Sequence, residues 1–494
     1  MNDNQGDPRH LETLDRDLAR FSNLEAATVM VSRPMIGVGI SLIFVVLAGL
    51  ASMLFFGQAS NAYIVVIAAC LGAYMALNIG ANDVANNMGP AVGANALSMG
   101  GAIAIAVVFE SAGALIAGGD VVSTIAKGII DPERMGTADV FVWAMMSALL
   151  SAALWVNLAT WVGAPVSTTH SVVGGVMGAG IAAAGLSAVS WGTMSSIAAS
   201  WVISPVLGGA IAAFFLFTIK SRIIYQDDKI AAARKWVPIL VGIMAGAFGA
   251  YLALKGLKKI IKIDMPTALL IGLAIAVIVW LVMIPVIKKQ SIGLENRNKS
   301  LKVLFGIPLV VSAALLSFAH GANDVANAVG PLAAIVQVSQ SGDFTTSFSI
   351  PFWVMIIGAF GISFGLFLFG PKLIRMVGSQ ITKLNPMRAY CVALSAAITV
   401  IVASWLGLPV SSTHIAVGAV FGVGFFREWD TERRIRKARI AMPDRPQYAL
   451  EERRRRKLVR RSHFMTIIAA WVITVPAAAL LSGTIFYLIN SLTS

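Results

Sequence analysis

Gly80-Ala81-Asn82-Asp83-Val84-Ala85-Asn86 returns in the second half of the chain as Gly321-Ala322-Asn323-Asp324-Val325-Ala326-Asn327, and both copies run on to a Gly-Pro pair, Gly89-Pro90 and Gly330-Pro331. A second block, Trp161–Gly180 (WVGAPVSTTHSVVGGVMGAG), returns as Trp405–Gly424 (WLGLPVSSTHIAVGAVFGVG). The order is the same in each half and the spacing nearly so: 81 residues from Gly80 to Trp161, 84 from Gly321 to Trp405. Seven identical residues in a row, twice, with a second matched block, mark a duplicated unit. Its copies cover roughly 35–220 and 303–494. A polar N-terminal extension, 1–34, precedes them, a middle segment, 221–302, with two expected spans joins them, and a basic insertion, 427–462, interrupts the second.

The sequence around these motifs is strongly apolar. Of 494 residues 57% are hydrophobic and 13% charged, and the mean hydropathy is +0.80. An ordinary globular protein has about 25% charged residues, so too little polar surface remains to cover a water-soluble globule. About a dozen spans of ~20 residues would use roughly half the chain. Windows of ~19 residues place apolar runs near 35–56, 61–79, 90–117, 138–162, 165–188, 191–219, 236–254, 265–287, 303–319, 350–370, 388–407, 410–426 and 463–489. The expected fold is an all-α polytopic membrane protein of about 12 transmembrane helices, with the shorter runs as half-helices. Duplicated halves with Gly/Pro-interrupted polar segments in matching positions point to the binding site of a secondary transporter. Whether such repeats are parallel or inverted follows from the parity of the spans between them.

The net charge of +14 invites a nucleic-acid reading, but its distribution argues against one. From Arg427 to Arg461 there are 14 Lys and Arg against 6 Asp and Glu. A basic loop between apolar spans is what the positive-inside bias produces, and it puts the C-terminus, beyond the last run, outside the cell. Two consecutive breaks, near Lys235 and over Lys255–Lys262, are both basic, which sets that bias at odds with a full span between them. Cys70 and Cys391 lie inside apolar runs and imply no disulfide framework. Met1–Arg33 is polar and mixed in charge, without the apolar stretch and cleavage site of a signal peptide.

Polar groups in the apolar region are few and clustered. Between Pro34 and Phe109 the only charged residue is Asp83, and from Ala389 to Phe426 there is none. Intramembrane ionisable groups are costly, so they face a partner or a wet cavity and mark a functional path. Asn82, Asp83, Asn86 and Asn87, with Asn323, Asp324 and Asn327, offer carboxylate and amide oxygens of the kind a hard cation such as Na⁺ takes, and a carboxylate also carries a proton. Pro165-Val166-Ser167-Thr168-Thr169-His170 and Pro409-Val410-Ser411-Ser412-Thr413-His414 read as helix starts, with proline in the first turn and hydroxyl caps. Such an N-terminus binds oxyanions through free N–H groups and the positive end of the dipole. His170 and His414, and His320 beside the second Asn-Asp motif, are candidates to orient a hydroxyl or relay a proton, or are packed helix residues. Glu110 is a further intramembrane acid. The Gly174–Gly180 run suits close helix packing.

Charge balance narrows the mechanism. The motifs contain two Asp and no Lys or Arg. A divalent oxyanion beside two carboxylates in a low-dielectric cavity is repelled by several kcal/mol or more, and helix dipoles of about half a charge each do not neutralise that. Cations must therefore enter with the anion, which favours symport over an anion channel. Hydrogen-phosphate keeps an O–H that can donate to a carboxylate, whereas sulfate would leave it unpaired; sulfate or another tetrahedral oxyanion is the second choice. An intramembrane hydrolase using Ser411 and His414 lacks a motif acid to orient the imidazole, so no enzyme activity and no cofactor are expected.

At these motifs the sequence resembles the inorganic phosphate transporter family of the PiT type, which includes bacterial low-affinity phosphate permeases and animal sodium–phosphate cotransporters. The GANDVAN copies and the two Pro-Val-Ser elements carry the resemblance, and Phe109–Asp131 (FESAGALIAGGDVVSTIAKGIID) is similar to the eukaryotic branch. It covers roughly 60–220 and 303–490. It implies about twelve helices in two inverted repeats, phosphate bound between the halves near the midplane, and coupling to Na⁺ or H⁺. It also implies phosphate contacts from Asp83, Asn86, Ser167, Thr168, Thr169, Asp324, Asn327, Ser411, Ser412 and Thr413. Cation contacts would come from Asn82, Asp83, Asn87, Asn323, Asp324 and Glu110. Some members carry a second acid or amide where this chain has Ala393, a departure that bears on any symmetric role for Glu110. Expected partners are inorganic phosphate, the coupling cation and the lipid bilayer, with a homodimer open and no nucleic acid. The expected location is a bacterial inner membrane, as a multi-pass protein.

Overall fold

The computed structural model describes residues 36–55, 62–162, 166–256, 263–341, 349–380, 384–441 and 461–493. The N-terminal extension, Pro165 and the centre of the basic insertion lie outside them. In chain order the main helices are α1 (Ile36–Phe55), α2 (Ala62–Asn82), α3 (Val84–Gly93), α4 (Met99–Ala117), α5 (Ala138–Val162), α6 (Thr168–Ala184), α7 (Trp191–Ile219), α8 (Lys229–Lys255), α9 (Met265–Gln290), α10 (Gly306–Ser341), α11 (Phe352–Gln380), α12 (Pro386–Trp405), α13 (Ser412–Ala441) and α14 (Arg461–Thr493). Eleven spans among the described residues are long and apolar enough to cross a membrane. In hydrocarbon every backbone polar group must be satisfied within the segment, which leaves helix as the choice for such runs. The chain is a helical multi-pass membrane protein.

Four helices start on exposed or part-buried polar caps: Ser98, Asp228, Asp264 and Asn385 cap α4, α8, α9 and α12 with side-chain oxygens on free N–H groups. Two helices start in the interior instead. Ser167 accepts the N–H of His170 at 3.2 Å and Ser411 that of His414 at 3.3 Å, and both serines are buried. With 17 residues, α6 is about 26 Å long at 1.5 Å per residue, short of a full span. Pro409 does not occupy the first turn of α13. It precedes the cap by two residues, and its carbonyl accepts the Trp201 indole N–H at 3.1 Å.

The two copies of GANDVAN differ in backbone. In the first, the helix breaks at Asp83, between α2 and α3. In the second, α10 runs unbroken for 36 residues, far beyond the apolar run at 303–319. Hydropathy falls over Asn323–Asn327 because the residues are polar, but their partners lie across the protein, so the helix continues.

Close helix approaches fix the relation between the halves. A Cβ on Gly113 would stand 2.0 Å from the Phe318 carbonyl oxygen and one on Gly321 2.1 Å from that of Glu110; in the other half, Gly365 meets Leu77 at 2.1 Å and Gly80 meets Ile362 at 1.9 Å. These contacts exchange under the repeat, α4 on α10 for α11 on α2. The contacts advance together along each pair (Gly113 by Phe318 then Gly118 by Val325; Gly361 by Ala73 and Ala76 then Gly365 by Leu77), so each pair runs parallel. Successive spans joined by a short connection must return across the bilayer, so α4 opposes α2, and α10, parallel to α4, opposes α2 as well. The repeats are inverted. Gly174 and Gly178 approach the backbone of α14 at Val475 and Ala479, so this glycine run serves packing.

The described basic residues at the two ends of α8 have partners. At one end Lys220 bonds Asp430 at 2.7 Å, Arg434 stacks 4.1 Å over Tyr225, and Arg234 bonds Ser291 at 2.6 Å. The other end carries Lys255, which is ion-paired with Asp120. Lys258, Lys259 and Lys262, which complete the second basic break, lie outside the described residues.

Gly321→Ala should cost roughly 1–3 kcal/mol by overpacking, read as a lower melting temperature of the detergent-purified protein, whereas Gly100→Ala, with nothing within 4 Å, should not lower it. Ser411→Ala should destabilise by about 1 kcal/mol through the lost cap, measured the same way.

Candidate functional site

The interior starts of α6 and α13 converge on the Asn-Asp motifs. Thr168, first residue of α6, donates to Asp83 Oδ2 at 2.6 Å, and its counterpart Ser412, first residue of α13, donates to Asp324 Oδ2 at 3.2 Å. Each half thus sets the positive end of a helix against its own buried carboxylate. Cross-links between the halves repeat the symmetry. Asn86 donates to Thr413 Oγ1 at 2.8 Å, and Asn327 donates to Thr169 Oγ1 at 3.2 Å. Thr413 also donates to Asp83 Oδ1 at 3.2 Å, and Thr169 to the Val410 carbonyl at 3.0 Å. The rings of His170 and His414 lie 4.6 Å apart, with Trp201 edge-on to His170 at 3.8 Å.

Most of the cluster is buried: Asp83, Asn87, Glu110, Thr168, Asn323, Asp324 and Asn327 are each at most 2% exposed, while Asn82 and Asn86 are half-buried. Three acceptor oxygens in it, Asn87 Oδ1, Asp324 Oδ1 and Asn327 Oδ1, have no hydrogen-bond donor. Buried acceptors are normally satisfied, so a ligand that supplies positive charge or donors fits here. One ligand atom from each of Asp83, His320 and Asp324 lies within 4.8 Å of the others.

The candidate residues differ in their partners. Asn323 is fully engaged in tying α10 to the linker before α13: it donates to Ser404 Oγ at 2.9 Å and the Leu408 carbonyl at 3.2 Å, and accepts the Val410 N–H at 3.2 Å. Asn82 donates to Asp83 Oδ1 and to the Val166 carbonyl, both at 3.1 Å. Glu110 has both oxygens occupied, by Asn87 Nδ2 at 2.9 Å and by His320 Nδ1 at 2.6 Å. His320 Nε2 lies 2.7 Å from Asp324 Oδ2, one turn along α10, although the pair is poorly aligned for a hydrogen bond. The repeat contacts make Ile362, not Ala393, the counterpart of Glu110, because Gly80 meets Ile362 as Gly321 meets Glu110. Sequence reasoning passed over Trp201, Ser404 and the Ser111–Ser363 pair, whose hydroxyls meet at 2.7 Å. Single polar residues in apolar runs were the available signal.

Known proteins resemble this chain over most of its length. The profile of the Phosphate transporter family matches residues 79–482. A Helicobacter pylori protein named "Putative phosphate permease" is 45% identical over 95% of this chain and 98% of its own. An Arabidopsis thaliana protein, "Inorganic phosphate transporter 2-1, chloroplastic", is 36% identical over 83% of this chain and 70% of its own. A solved structure, "The sodium-dependent phosphate transporter", superposes with a TM-score of 0.78 at 34% identity, covering 87% of this chain and 99% of that one. With motifs, inverted halves and relatives in accord, the chain belongs to the phosphate transporter family.

Proposed function

We propose that the protein imports inorganic phosphate by symport with Na⁺, the two inverted halves alternating access to the central site, in a bacterial inner membrane with the basic side cytoplasmic and the C-terminus outside. One observation carries the proposal: two capped helix N-termini deliver hydroxyls to two buried carboxylates that have no Lys or Arg among their partners in the described residues. Free N–H groups and hydroxyls suit a tetrahedral anion. Two N-termini of about half a charge each leave roughly one negative charge uncompensated on the carboxylates, so the anion enters with cations. Phosphate is held by Asp83, Asn86, Ser167, Thr168, Thr169, Asp324, Asn327, Ser411, Ser412 and Thr413. The cation takes the bare acceptors of Asn87 and Asp324, beside Asp83. Asn82 and Asn323 hold the frame, and the family's structural neighbour, sodium-dependent by its name, supports Na⁺.

Reconstituted into liposomes, the protein should accumulate labelled phosphate when an inward Na⁺ gradient is imposed and not when a pH gradient replaces it. Asp83→Asn and Asp324→Asn should each lower Na⁺-driven uptake by more than about tenfold, 1.4 kcal/mol, while remaining folded and inserted. Accumulation driven by pH alone points to H⁺, flux without any cation gradient to a channel, and preference for sulfate to the other oxyanion. Any of the three overturns the proposal.

A further inference from the structure

The two halves are symmetric in sequence and in their cross-links, but one polar chain breaks the symmetry. It runs from Asn87 through Glu110 and His320 to Asp324, with successive contacts of 2.9, 2.6 and 2.7 Å. Its counterpart on the other face is apolar: Ala328 stands for Asn87, Ile362 for Glu110 and Ile79 for His320, and all three are buried. The consequence appears at the carboxylates. Asp83, on the apolar side, has both oxygens hydrogen-bonded, by Asn82, Thr413 and Thr168. Asp324 has Oδ2 engaged by Ser412 and close to His320, and Oδ1 bare.

We propose that Glu110 and His320 are positioning residues that present Asn87 and Asp324 to a transported cation on their face of the pseudo-symmetric site. The inference rests on the symport reading above. An amide can rotate to offer either oxygen or nitrogen. Glu110 Oε1 takes the Asn87 N–H₂ group and thereby turns Oδ1 outward, without a partner, at a residue 1% exposed. Glu110 keeps that orientation because His320 engages its other oxygen and because α4 is pinned against Gly321, where no side chain fits. His320 is itself placed by the helical turn that puts residues 320 and 324 on one face of α10. Glu110 therefore acts through its neighbours, since neither of its oxygens is free for an ion.

This logic makes a swap the decisive test. In Glu110→Gln the new amide presents N–H₂ to Asn87 or to His320, and the Asn87 oxygen is drawn away from the ion. Loss of an outer partner of this kind weakens ion affinity by about 10- to 100-fold. Uptake into liposomes should show the half-saturating Na⁺ concentration raised at least about tenfold, with the phosphate KM at saturating Na⁺ changed less than about twofold. Adding Asn87→Asp, which accepts from the new amide and keeps a second oxygen bare, should restore the Na⁺ requirement to within about threefold of wild type. Should Glu110→Gln fail to insert, His320→Asn provides the same selective rise. Equal loss of Na⁺ and phosphate affinity without rescue, or an unchanged Na⁺ requirement in either variant, overturns the inference alone. Wild-type uptake indifferent to Na⁺ overturns the symport reading and this inference with it.

Discussion

Two carboxylates inside a membrane protein, met by hydroxyls, one amide and one imidazole and by no Lys or Arg among the described residues, set the conditions for everything around them. Charged groups at this depth are tolerated only with partners. The fold supplies partial ones: the starts of α6 and α13, each bringing a helix dipole, a serine cap and a hydroxyl donor to its own Asp. To deliver those N-termini the two helices begin in the interior, which is why α6 falls short of a span. In the proposed symport, partial compensation is what makes the anion depend on a cation. A site fully neutralised by arginine would bind the anion without a companion, and a site with no dipoles would reject it.

Inversion of the repeats places matching groups from both halves in one site. The bonds Asn86 to Thr413 and Asn327 to Thr169 cross from one half to the other as mates, so the site is assembled at the interface of the halves and belongs to neither. Glycines at Gly80, Gly113, Gly321 and Gly365 bring α2, α4, α10 and α11 into backbone contact immediately beside it. Their parallel pairing across the halves packs the two repeats against each other around the site.

Much of this was legible in the sequence because the duplication wrote it twice. The GANDVAN copies and the hydroxyl-rich helix starts sit together as their matched spacing implied, with Asp83, Thr168, Thr413, Asp324 and Ser412 in direct contact. What remained hidden depends on distance along the chain or on asymmetry. Glu110 and His320 are separated by 210 positions, and nothing local in either residue names the other. The counterpart of Glu110 is an isoleucine, so the repeat is invisible there until Gly80 and Gly321 align it. The unbroken course of α10 through Asp324, against the break of the first copy at Asp83, was equally unreadable, since the motif residues are identical. Tertiary partners decide that difference.

Electrostatic dependence of the anion on a cation is the central claim, and equilibrium binding tests it without the complications of transport. Labelled phosphate titrated onto purified protein at constant ionic strength, with Na⁺ exchanged for choline, should show affinity rising with Na⁺, and by linkage Na⁺ affinity should rise by the same factor with phosphate. Identical phosphate affinity in choline and in Na⁺ would contradict the account.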